Sequence, residues 1–147
     1  MTLVRAKTAL DYAILHRNTE IINALLDTPY LDVQQEYIDM IINLPVQYIG
    51  IFAKKNMYVT PTALYAAASK GYTEAISAIC SLKQYDSMTH LVVALQNAMN
   101  NKYEITSLTI LRFIPAITEE VKKQLIYLAT KHNMTQIFRE IMNKPVV

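Results

Sequence analysis

The stretch from Thr62 to Ile79, TALYAAASKGYTEAISAI, constrains this chain more than any other. Leu64, Ala67 and Ala68 give a narrow apolar face at helical spacing, which Thr62 can cap. Lys70-Gly71 breaks that helix, and Glu74, Ile76 and Ile79 belong to a second one that starts near Thr73. Small alanines let a neighbouring helix approach closely, so the hairpin is suited to stacking rather than to standing alone.

The pattern recurs along the chain. Upstream, Thr8-Ala9-Leu10, Ala13, Thr19-Glu20, Ile22 and Leu25 match it position for position. Halfway between Thr8 and Thr62, beginning at Gln35, an intermediate copy puts Tyr37, Met40, Gln47, Ile49 and Phe52 on the template. The same half-step forward from Thr62 reaches Thr89, with Leu91, Ala94 and Leu95 on the apolar face and a longer turn at Asn100, Asn101 and Lys102. A further insertion around Ile114-Pro115-Ala116-Ile117 leads to Ile126, Ala129, Gln136, Phe138 and Ile141. The expected units are 7–30, 34–57, 61–84, 88–115 and 118–143, in one domain spanning 1–147. Helices of about ten residues are marginal alone, so each copy depends on its neighbours. Proline and polar runs fall between units or at turns, and Thr118-Glu119-Glu120 has the form of a capped helix start.

Composition narrows the function classes. Apolar residues make up 52% and charged ones 18%, which suits a packed core rather than disorder. A net charge of +2, with both signs interspersed, predicts no nucleic-acid or membrane binding by electrostatics. Only two glycines argue against hairpin-rich or dinucleotide-binding folds. The single Cys80 excludes an internal disulfide, and the N-terminal residues lack a signal-peptide core, so a soluble intracellular protein is expected.

TALYAAASKGYTEAI resembles the ankyrin repeat. Thr62, Leu64, Ala67, Ala68, Gly71 and Glu74 fit that pattern, while Ala63, Tyr65 and Tyr72 replace its proline and two histidines. The first unit keeps Thr8, Leu10, Ala13 and Glu20 with Arg17 at the glycine position, and the fifth has Asn133 there. The interval from Thr62 to Thr89 is shorter than the roughly 33 residues of an ankyrin repeat, which removes the projecting hairpin fingers. The resemblance implies an all-α solenoid of about five stacked helix-turn-helix repeats with short or missing fingers. It implies a non-catalytic cytoplasmic scaffold that binds a protein partner on its concave face, and no cofactor. The composition is similar to that of repeat modules in intracellular-bacterial effectors and large DNA viruses; for a secreted effector the compartment would be the host cytoplasm.

Within the register, one first-helix position holds His16, Asn43, Lys70, Asn97 and His132, all polar. The position three earlier holds Ala13, Met40, Ala67, Ala94 and Ala129. A polar row beside an apolar one is a helix with one wetted face, either merely solvated or lining a groove. The groove reading adds Tyr12, Asp39, Ser69, Gln96 and Lys131. Among the tyrosines, Tyr37, Tyr48 and Tyr127 are expected partly buried, and Tyr12, Tyr65 and Tyr72 on the surface. Enzyme and metal signatures are absent: His16, His90 and His132 lie in different units, and Cys80 takes an apolar position.

Two other readings stay open. The chain could be a regulatory or structural segment packed against another domain of a larger protein. Exposed Leu3, Val4 and Ile14, or Ile137 and Ile141, at an uncapped end would favour that. An all-α enzyme or small-molecule binder would need an enclosed pocket with a perturbed acid.

Overall fold

A computed structural model describes residues 9–10, 12–27, 42, 46, 48–50, 59–85 and 88–147. Among these residues the regular elements are α-helices and no strand occurs, as the all-α reading requires. The helices are α1 (Thr19–Leu26), α2 (Pro61–Lys70), α3 (Thr73–Ser81), α4 (Thr89–Asn100), α5 (Glu104–Arg112), α6 (Glu119–Lys131) and α7 (Thr135–Met142). Most of the unit expected at 34–57 lies outside the described residues. Two compact units divide the chain, Met1–Ala63 and Leu64–Val147.

In the first unit, Leu10, Ala13, Ile14, Ile22, Ile42, Tyr48, Ile49 and Val59 are buried. Asn18 caps α1, its side chain accepting from the Ile21 N–H at 3.2 Å. Tyr48, expected to be partly buried, is buried almost completely, and its single O–H is shared between the Thr19 carbonyl and Asn23 Oδ1, at 3.2 and 3.1 Å. Those bonds offset the loss of water around a buried phenol.

In the second unit, α4 folds back on α5 and α6 on α7. The second helices then line up, α3 beside α5 beside α7, and α6 lies beside α4. Facing positions carry the apolar side chains: Leu91, Ala94, Leu95, Ala98 and Met99 on α4, Leu125 and Ala129 on α6, and Ile137 and Ile141 on α7. α5 also buries Thr106 and Ser107, whose hydroxyls are satisfied. Thr106 Oγ1 lies 2.7 Å from Thr73 Oγ1 on α3, and Ser107 donates back to the Tyr103 carbonyl at 2.7 Å.

The α2 start differs in detail from the sequence reading. Pro61 occupies the first helical position, where a missing N–H is no loss, and Thr60 Oγ1 accepts from the Ala63 N–H at 3.3 Å. Thr60, not Thr62, is the cap. At α6 the expected cap holds, with Thr118 Oγ1 accepting from the Val121 N–H at 3.2 Å and Glu119 and Glu120 in the first turn.

Among the described residues one turn geometry recurs between the helices of four hairpins. Arg17, Gly71, Lys102 and Asn133 have φ of 54°, 70°, 64° and 57°. The N–H of the next residue returns to the carbonyl of Ala13, Ala67, Ala98 and Ala129 respectively, at 2.8–3.0 Å. This left-handed closure satisfies carbonyls that a helix end leaves open. It also fixes the register. Gly71, Lys102 and Asn133 are evenly spaced, at an interval wider than the one from Thr62 to Thr89. Ala98, not Ala94, therefore takes the place of Ala67, and Leu95 that of Leu64. The extra residues lengthen the first helices, α4 and α6, and leave the turn unchanged. Because a side chain in this conformation is disfavoured, Lys102→Gly is expected to raise stability by about 0.5–1 kcal/mol, measured by urea unfolding.

The segment after α7 pairs with the one that precedes α6. After α7 the chain turns back, and the Ile117 N–H donates to the Pro145 carbonyl at 3.0 Å while the Val147 N–H donates to Ile117 O at 2.9 Å. Ile117 and Val146 thus form an isolated parallel bridge. Ile14, Ile137 and Ile141, which an uncapped end would expose, are all buried.

Candidate functional site

The first helices α4 and α6 run beside each other and leave part of their shared face uncovered. Gln96 Nε2 donates to Gln124 Oε1 at 3.3 Å, tying the two helices across that face. A cleft of about 430 Å³ is lined by Met88, Val92, Val93, Gln96, Ala116, Ile117, Thr118, Val121, Gln124 and Val147. A second depression of about 430 Å³, lined by Gln96, Lys123, Gln124, Tyr127 and Leu128, shares the same two glutamines. Both fall in the size range of ligand sites. The first has largely aliphatic walls, which suit apolar side chains, while the second combines Tyr127 and Leu128 with Lys123 and the two shared amides.

Helical spacing sets this composition. Leu125 and Ala129 point into the core, so Gln124 and Tyr127, off that stripe, are left on the surface. Tyr127, expected to be partly buried, is 64% exposed for this reason. In the register of the turns it shares a repeat position with Gln96 and Tyr65. Tyr65 is half-buried, its hydroxyl 2.8 Å from His90 Nδ1, and the Tyr85 ring lies 5.6 Å from that imidazole.

The expected groove residues are not gathered in one place. Gln96 alone lines the two depressions. Tyr12 and His16 are exposed in the first unit, and Asp39 and Asn43 lie outside the described residues. Ser69 is half-buried, and Lys70 is exposed with its ammonium 5.7 Å from the centre of the Tyr72 ring. The wider register moves the polar row from Asn97 to Asn101. Asn97 supplies the carbonyl that accepts both the Asn101 N–H and its side-chain amide, at 3.2 and 3.0 Å. Lys131 is exposed, while His132 has its Nε2 buried without a partner. Val93, Gln124 and Tyr127 escape the sequence reading; the interval from Gly71 to Lys102, applied to the helices, would have aligned Tyr65, Gln96 and Tyr127.

Among the described residues no three of His, Cys, Asp and Glu come together as a metal site would need, and no helix is long and apolar enough to cross a membrane. Cys80 is buried on α3, and burial pushes its thiol up to about 12 from an ordinary 9.0. At pH 8 native Cys80 is expected to resist iodoacetamide over hours and to react in minutes once unfolded, as mass spectrometry would record. Below pH 9 the thiol is neutral folded or unfolded. Above it only the unfolded chain ionises, so stability should fall between about pH 9 and 12.

These residues define an all-α chain of hairpins repeated in geometry. Comparison with family profiles, with curated proteins and with solved structures finds no match.

Proposed function

We propose that the chain is a non-catalytic, protein-binding helical solenoid of divergent ankyrin type, working in the cytoplasm, and that a partner protein docks on the face of its first helices. The observation that carries the reading is the uncovered α4–α6 face, with its two depressions on either side of the Gln96–Gln124 bond and exposed Tyr127 beside them. Tyrosine gives rigid amphipathic contact area, and the aliphatic cleft across the glutamine pair gives a partner's anchors somewhere to go. The recurring left-handed turn and the side-by-side hairpins support the repeat reading. Burial of Ile137 and Ile141 gives no support, at those two residues, to the reading as a segment covered by another domain.

Site-specific photocrosslinking tests this. A photoreactive residue at position 93 or 127, in a lysate of the source cells, is expected to give discrete protein adducts. The same residue at 139, on α7, is expected to give none. Equal labelling from all three positions would remove the assignment of the face.

A further inference from the structure

We infer that the α4–α6 cleft receives an extended aliphatic peptide segment of a partner protein, and that the chain's own Pro145–Val147 segment is a displaceable competitor for its edge. The inference rests on the docking face proposed above and names what that face would recognise.

The tail shows what the edge accepts. Ile117 uses both its N–H and its carbonyl to hold an extended strand in parallel register, through Pro145 O and the Val147 N–H. Main-chain pairing of this kind is how a peptide adds to an exposed edge, with side-chain pockets supplying selectivity. Beside Ile117 the cleft offers Val92, Val93, Ala116 and Val121, so the side chains it favours are aliphatic. The Gln96 and Gln124 amides stand at its far side for one polar group of the visitor.

Val147 lines the cleft, yet the segment buries little of itself there. Val147 is 84% exposed and Val146 41% exposed, so the segment is held chiefly by its two main-chain bonds. A partner strand that makes the same two bonds and also buries aliphatic side chains gains contacts the tail lacks. The tail then acts as a weak latch. It satisfies Ile117 while the cleft is empty, and it lowers the apparent affinity for short or poorly matched segments.

The test uses the full chain with labelled valine methyls, titrated with the synthetic peptide acetyl-Lys-Pro-Val-Val-Lys-amide. Val147→Pro removes the N–H that donates to Ile117, changes the cleft lining only at position 147, and leaves Val92, Val93, Ala116 and Val121 in place. The peptide is expected to shift the Val92, Val93 and Val121 methyl signals, about tenfold more tightly in Val147→Pro than in the unaltered chain. The peptide with aspartates in place of both valines is expected to shift none of them, and a chain carrying Val93→Asp is expected to lose the response. A second variant, shortened after Lys144, should behave as Val147→Pro does. Equal affinity in the latched and unlatched chains, or no methyl shifts at millimolar peptide in a folded Val147→Pro chain, would overturn the inference. Photocrosslinks at 93 and 127 without a peptide response leave the docking face standing and remove the latch. A peptide response without crosslinks supports the latch and removes the protein-scaffold reading.

Discussion

Replacing Gly71 by alanine is expected to destabilise the protein by about 2–4 kcal/mol, lowering its melting midpoint by roughly 10–20 °C. Two effects add. Gly71 sits at φ +70°, where a side chain strains the backbone, and a Cβ there would come within 2.6 Å of the Tyr103 ring. That ring belongs to the residue that opens α5, so the contact joins one turn to the start of the next second helix. A double-mutant cycle separates the effects. In a Tyr103→Ala background, Gly71→Ala should cost only the backbone share, about 1–2 kcal/mol. If the two substitutions are additive, Tyr103 does not pack on that turn.

Leu95→Ala is expected to be at least as damaging, at about 2–5 kcal/mol. Leu95 is fully buried on α4, the helix that packs on both α5 and α6. Truncation there leaves a void between three elements that cannot all close on it. Val93→Ala on the same helix, half-buried at the cleft, should change stability by less than about 1 kcal/mol. Chemical denaturation of the two variants makes the comparison, and similar values for both would contradict the placing of Leu95 in the core and Val93 at the cleft.

The hairpins themselves were legible in the sequence. Gly71 and Asn133 mark left-handed turns because they tolerate positive φ, and Thr118 with two acids marks a helix start. The register of the fourth copy was not legible. Ala94 and Ala98 are one helical turn apart on the same face and both are buried, so the apolar pattern fits either alignment. Its turn carries Lys102 at positive φ, a residue that does not announce that conformation. From this one ambiguity came the displaced polar row at Asn97 and the overlooked column of Tyr65, Gln96 and Tyr127. The pairing of Ile117 with Pro145–Val147 was beyond reach for another reason: nothing local to Lys-Pro-Val-Val specifies a partner strand, and the pairing exists only once α6 and α7 have folded.

The hairpins between 64 and 147 touch chiefly the copies next to them in the chain. Contacts of such short sequence separation need only small loops to be closed, so assembly should be rapid and able to start at any hairpin. Pulled from its C-terminal side, the unit would peel apart one hairpin at a time, giving a staircase of small force peaks instead of a single rupture.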